Sequence, residues 1–225
     1  MSGALTDGRK VVLTVESGPR EGKDSWGAVR RDRRARGLQP GRCTIAAGHL
    51  GLGAALAEPQ PTAAEPRGGN HRMTNVLEAS PNTHQAQART RLYAMPYAER
   101  QEACARRRAQ VDTRSRQLAP QAVARLAHDW HRLGTFYQFP REHWRHLRTT
   151  NVVESPFAAA RWRTGAAHRF KKVASATAII WKRLQVAEST CRRLNAPELL
   201  PAVYAGAKDG DGLQPSISHP QEVAA

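Results

Sequence analysis

The densest concentration of chemistry-bearing side chains lies between Phe136 and Lys172, in the run FYQFPREHWRHLRTTNVVESPFAAARWRTGAAHRFKK. From Arg141 onward it holds eight basic residues, Arg141, Arg145, Arg148, Arg161, Arg163, Arg169, Lys171 and Lys172, against two acids, Glu142 and Glu154. Such an excess suits a phosphate backbone, because each cation that neutralises a phosphate releases condensed counterions. Trp144, Phe157 and Trp162 are interleaved, either to stack on bases or to pack into a core. Glu154 is the isolated carboxylate of this field. If Ser155 and Pro156 open a helix, Arg161 lies about two turns beyond Glu154 on the same face. A carboxylate and a cation so placed can hold a divalent metal beside a phosphate backbone, which is the need of phosphoryl transfer. The same residues have a second reading. Asn151-Val152-Val153-Glu154 has the spacing of a capping box, in which the glutamate reaches back to a cap residue's amide and does no chemistry. Spacing alone does not separate the two.

The elements that must position this segment read as α/β, mostly α. Residues 9–16 (RKVVLTVE) form a β-branched run between Asp7-Gly8 and Gly18-Pro19, which predicts a strand. Residues 24–36 (DSWGAVRRDRRAR) predict a strongly basic helix stopped at Gly37. A second strand is expected over 42–47 and a short helix over 52–56, and strand-helix-strand alternation suggests a parallel pair. Proline and glycine make residues 58–70 a linker. Residues 71–147 are rich in Ala, Arg, Gln and Leu and broken by Pro81, Pro96, Pro120 and Pro140, so a set of short helices is expected. In residues 172–194 the positions Val173, Thr177, Ile180, Leu184, Ala187 and Cys191 recur at steps of four and three, an amphipathic helix with Ile180, Trp181 and Leu184 in the core. The domain reading is therefore 1–57, a linker 58–70, a helical unit 71–147, C-terminal helices 148–206 and a disordered tail 207–225.

Composition narrows the partners. The 225 residues carry 35 Lys+Arg against 19 Asp+Glu, a formal net charge of +16, and the mean hydropathy is −0.61. No apolar stretch is long enough for a membrane span and no basic start precedes an apolar run, so neither a membrane partner nor a secretory signal is expected. Cys43, Cys104 and Cys191 are too few and too dispersed for a disulfide framework. The expectation is a cytoplasmic protein whose partner is a polyanion, nucleic acid first. The basic stretch 23–36 reads as a solvated face, a nucleic-acid patch or a membrane-surface helix, and its few large apolar residues weigh against the last. His49 and His71, His128 and His131, and His143 and His146 lack the Cys or acid that would complete a four-ligand metal set, so they read as surface or DNA-proximal histidines.

The run HLRTTNVVESPFAAARWRT, flanked by YQFPREHW, RFKKVASATAIIWKRLQVAE and RRLNAPELLPAVYAG, resembles the C-terminal part of the mutator-type transposases of bacterial insertion elements. Upstream, DGRKVVLTVESG, KDSWGAVRRDRRARGL, TIAAGHLG, NHRMTNVLEASP and LYAMPYAER follow in the family's order, so the resemblance covers residues 7–206. It implies a ribonuclease-H-like core interrupted by an all-helical insertion. Two aspartates and a glutamate then hold two divalent metals, normally Mg2+, which activate a water or a DNA 3′-hydroxyl for cutting and joining. Glu154 falls on the family glutamate and is the implied metal ligand, and Arg161 falls on the basic residue that follows it.

The departures shape the expectation. The family's second aspartate lies in a Gly-Asp-Gly turn, and this chain has Ala46-Ala47-Gly48, with Ala47 at the aspartate's position. The first aspartate belongs to a strand upstream of the segment matched by 9–16. A Cys-x-x-His motif appears as Gly68-Gly69-Asn70-His71, which keeps only His71. The resemblance thus implies a truncated, degenerate transposase with a partial ribonuclease-H-like core of marginal stability, unable to carry out strand transfer alone. Expected partners are DNA, both element ends and target, and an intact transposase or a second copy of the chain. Arg141, Arg145, Arg148, Arg163, Arg169, Lys171 and Lys172 are the expected DNA contacts.

Overall fold

The computed structural model describes residues 2–17, 22–39, 41, 43, 69–128, 130–148 and 170–213. It opens on a hairpin of β1 (Ser2–Ala4) and β2 (Lys10–Val12), antiparallel with Gly3 opposite Val11. Leu5 N–H donates to Arg9 O at 2.8 Å across the turn, and Gly8 sits at φ +80°, where a side chain would be strained. Asp7 closes the turn by accepting from the backbone N–H of Arg9 at 2.9 Å and pairing with its Nε at 2.6 Å. The strand expected over 9–16 is therefore shorter, and its described partner is an antiparallel one. Asp7-Gly8 works as a hairpin turn, and Ser2–Ala4 has no β-branched residue to announce its strand. Of the second expected strand, only Cys43 lies within the described residues.

Helix α1 (Lys23–Ala35) ends as the Gly37 signal predicts. Gly37 N–H donates to Arg34 O and Leu38 N–H to Arg33 O, both at 3.0 Å, with Gly37 at φ +91°, the paired bonds of a glycine C-terminal cap. No residue of α1 is fully buried. Arg33 ties it to the chain leaving β2, donating to Leu13 O at 3.3 Å and pairing with Glu16 at 3.3 Å.

The core belongs to the helical unit: α2 (Gly69–Glu78), α3 (Asn82–Ala94), α4 (Gln101–Ser115), α5 (Pro120–His128), α6 (Trp130–Leu133) and α7 (Trp144–Leu147). Gly69 and Asn70, expected in the linker, begin α2. Each proline sits where its fixed φ and missing N–H do no harm. Pro81 precedes α3, Pro96 lies in the 3₁₀ turn Met95–Tyr97, Pro120 is the first residue of α5, and Pro140 precedes the 3₁₀ turn Arg141–His143. Helix α2 packs on α3 and α5, and α4 packs on the same two. Their apolar faces bury Met73, Val76, Leu92, Met95, Leu126, Phe136, Tyr137 and Trp144. Part of the arginine excess is structural here. Arg107 donates to Ala94 O at the end of α3, and Arg125 to Asn75 O in the last turn of α2 at 2.9 Å, each a cation placed at a helix C-terminus.

Helix α8 (Val173–Ser189) lies on β2, where Glu188 accepts from Val12 N–H at 2.8 Å. The predicted stripe holds over Thr177, Ile180, Leu184 and Ala187, with Leu184 fully buried and Trp181 half-buried, whereas Val173 is 66% exposed. After α9 (Leu200–Ala205) the chain does not become a disordered tail at once. Asp209 N–H donates to Gln138 O at 3.0 Å, Gly212 N–H to Tyr137 O at 3.1 Å, and Arg141 N–H to Gly212 O at 3.2 Å. Backbone pairing, which composition does not reveal, orders residues 209–213. Residues 214–225 lie outside the described residues.

Candidate nucleic-acid interface

Five of the predicted site residues are described: Arg141, Arg145, Arg148, Lys171 and Lys172. Ala47, Glu154, Arg161, Arg163 and Arg169 lie outside the described residues, as do Phe157 and Trp162. Arg141, Arg145, Lys171 and Lys172 are exposed cations. Lys172 is the residue that caps α8, and Arg145 is the outward position of α7, whose Trp144, His146 and Leu147 are buried.

Arg148, expected as a phosphate contact, is packed against aromatic rings. Its guanidinium carbon lies 4.9 Å from the Trp144 ring centroid, 5.1 Å from Phe136 and 5.4 Å from Tyr97. The ring quadrupoles attract a cation at these distances. Its Nε is buried without a hydrogen-bond partner, and burial pulls its pKa below the ordinary guanidinium value while Tyr137 and Tyr97 oppose that shift. A guanidinium stays charged regardless. Arg148 is half-buried among aromatic rings, where the +16 chain uses a cation to pack its own interior.

The rings themselves are core. Phe136 and Tyr137 have centroids 4.2 Å apart, and Trp144 meets both edge-on at 5.4 and 4.9 Å. Trp144 Nε1–H donates to Phe139 O at 2.8 Å and the Tyr137 hydroxyl to Ala98 O at 2.9 Å, so both polar tips are satisfied. Of the two readings of Trp144, the packing one holds. Burial pushes the Tyr137 phenol up, and the neighbouring Cys104 adds to the shift.

His143 and His146 are not surface histidines. They are 3% and 5% exposed and face the segment after α8. His143 Nε2 lies 3.1 Å from Ala196 O, and His146 Nε2 lies 3.2 Å from Asn195 Oδ1. Their i, i+3 spacing places both on the buried side of one turn, which a sequence of polar letters does not disclose. Burial, with Lys10, His143 and Arg145 adding to it, lowers the His146 pKa, while Asn195 raises it. His128 and His131 are exposed as expected.

Sequence reasoning missed three further features. Tyr97 projects from the turn beside Arg148, and its LYAMPYAER context gives no polar signal. Asp211, at φ 51°, accepts from the backbone N–H of Gln101 at 2.6 Å and so caps α4 from 110 residues away. Asn195, read only as a helix stop, is the partner of His146. A shallow depression beside the Asp211 cap is lined by Gln101, Glu102, Tyr137, Gln138, Asp209 and Asp211. No helix among the described residues is long and apolar enough to cross a membrane.

A family model described as "Transposase, Mutator family" matches residues 1–189. The transposase for insertion sequence element IST2 of Acidithiobacillus ferrooxidans is 36% identical over 222 residues, 98% of this chain and 75% of that protein. The transposase for insertion sequence element IS6120 of Mycolicibacterium smegmatis is 35% identical over 212 residues, 92% of this chain and 64% of that protein. The transposase for insertion sequence element ISRM5 of Rhizobium meliloti (strain 1021) is 28% identical over 175 residues, 77% of this chain and 44% of that protein.

Proposed function

The chain belongs to the Mutator family of transposases, and from that premise we propose that it binds DNA without carrying out metal-dependent strand transfer. The observation that carries this reading is Ala47. Glu154 takes the position of the family glutamate and Arg161 that of the basic residue after it, while Ala47 stands where a second metal-ligating aspartate belongs. A methyl group offers a metal no oxygen. Paired Mg2+ ions need several carboxylates to offset their mutual repulsion, and the donor set that includes Glu154 and Ala47 does not fit them.

The finer fold belongs to the same proposal. A strand, the basic helix α1, an all-helical unit and then the Glu154 segment follow the order of a ribonuclease-H-like core with its helical insertion. DNA binding is supported by the net charge of +16 and by the exposed Arg141, Arg145, Lys171 and Lys172 on either side of the Glu154 segment.

The test is a cleavage and strand-transfer assay with Mg2+ or Mn2+ on the terminal-repeat DNA of the related elements. It compares the chain, its Glu154→Gln variant and an Ala47→Asp variant extended to the full length of its relative. Activity only in the repaired protein is the expected result. Activity of the unaltered chain that Glu154→Gln abolishes would show another carboxylate replacing the lost aspartate, and would sink the non-catalytic reading.

A further inference from the structure

We propose that Tyr97 is a stacking platform for an unpaired base of single-stranded DNA, with Arg148 as the support beneath its ring. The inference rests on the DNA-binding reading and deepens it by naming a contact and the strand form it selects.

Tyr97 is 59% exposed in a turn where Pro96 is half-buried and Met95 is 1% exposed, with Ala98, just after the turn, 0% exposed. Pro96 fixes one φ of that turn, and Ala98 N–H donates to Met95 O at 3.1 Å, so the ring projects from rigid backbone. Contact with Arg148 at 5.4 Å supports the ring from below. Arg148 cannot swing away freely, because Phe136 and Trp144 hold its guanidinium at 5.1 and 4.9 Å. Ordering the platform therefore costs little extra side-chain entropy when a ligand arrives. A cation against one face leaves the other face for a second flat group, and a base is such a group.

Charge favours a nucleic acid as that ligand. Exposed Arg100 follows the turn, and Arg107 is held against Ala94 O at its start. Glu99 and Glu102 are the nearby acids in sequence, and Glu102 is neutralised by Arg106 at 2.6 Å. The strand form follows from geometry. A protruding ring can meet the face of a base only where that base is unstacked, whereas a duplex presents base edges and phosphates.

The experiment uses the full chain and fluorescence anisotropy with labelled oligothymidylate, single-stranded or annealed to its complement. Tyr97→Ala should weaken single-strand binding by about tenfold, with Tyr97→Phe within about twofold of the unaltered chain. Duplex affinity should be unchanged in both. Tyr97→Trp should show tryptophan quenching on single-strand binding beyond that of the parent. Because the side chain is exposed, all three variants should keep the parent's circular dichroism, and only Tyr97→Ala, which removes one of the three rings around Arg148, should melt slightly lower. Full single-strand affinity in Tyr97→Ala, or equal losses on both DNA forms, overturns the proposal. If the parent binds neither oligonucleotide, the DNA-binding reading itself fails; if the parent binds both and only the Tyr97 effect is missing, the platform alone fails.

Discussion

The ammonium of Lys10 lies 3.2 Å from Nδ1 of His146, joining β2 to the buried face of α7 across 136 residues of sequence. The other ring nitrogen meets one residue twice: Nε2 lies 3.2 Å from Asn195 Oδ1 and 3.3 Å from the Asn195 backbone N–H. One histidine thus links the hairpin, the helical unit and the segment after α8. Protonation of the imidazole would place two cations face to face, with Arg145 and His143 nearby.

A pH dependence follows. The folded pKa of His146 lies below its ordinary 6.5, so just below pH 6.5 the unfolded chain binds the proton that the folded chain refuses. The contribution of His146 to stability is full above that value and is lost as the pH falls through the folded pKa. Burial also lowers the Lys10 pKa from 10.5, which gives the same sign, rising stability with rising pH, in the alkaline range. Melting temperatures followed from pH 8 down to about pH 5 should decline, and His146→Gln should flatten that decline. Identical pH profiles for the two proteins would refute the assignment.

Gly212 is irreplaceable for a local reason. It has φ +79°, and a Cβ there would come within 2.7 Å of Trp144 Cζ2 and 3.0 Å of the Arg141 Cα. Gly212→Ala should cost about 2 kcal/mol or more in urea unfolding, combining backbone strain with a clash against a ring that is itself packed. Gly210→Ala, two residues away with nothing within 4 Å, should stay within about 0.5 kcal/mol of the parent. Equal effects would mean that residues 209–213 do not dock on the 3₁₀ turns as described.

These two cases also mark what the sequence disclosed. Local signals were legible: the Gly37 cap, the proline-bounded helices, and the Thr177, Ile180, Leu184 and Ala187 stripe all match the structure. Long-range pairings were not. Asp211 reaches Gln101, Lys10 reaches His146, and Ser2–Ala4 pairs with β2 through contacts that no periodicity encodes. The sign of a residue was no guide to its surroundings either. Arg145 and Arg148, three apart, belong to the same basic run, yet one faces solvent and the other is half-buried against three rings. Glu154 was singled out by residue type and spacing and given its role by resemblance, and it lies outside the described residues.

The ring contacts make Arg148 a stability residue. Arg148→Ala should lower stability by about 2 kcal/mol, and Arg148→Lys by about 1 kcal/mol, since an ammonium keeps the charge but loses the flat face and is harder to desolvate. Urea midpoints for the parent and both variants check the order. A lysine variant as stable as the parent would show that charge alone, without the planar stack, holds the cluster.

The same contrast separates structural from DNA-facing arginines in solution. A cation that neutralises a phosphate contributes to the salt dependence of binding, with the logarithm of affinity falling by about 0.7 per phosphate contact for a single strand and about 0.9 for duplex DNA, per logarithm of salt. Arg145 points outward from α7 and should add one such contact, so Arg145→Gln should lower the slope by close to that amount. Arg148 is turned against Phe136, Trp144 and Tyr97, so Arg148→Lys should leave the slope unchanged even where stability falls. Affinities measured by anisotropy at several KCl concentrations, below each variant's melting temperature, decide the matter. A slope that drops for Arg148→Lys and holds for Arg145→Gln would exchange the two roles: Arg148 would then reach phosphate in the bound state, and its three-ring nest would have to open when DNA binds.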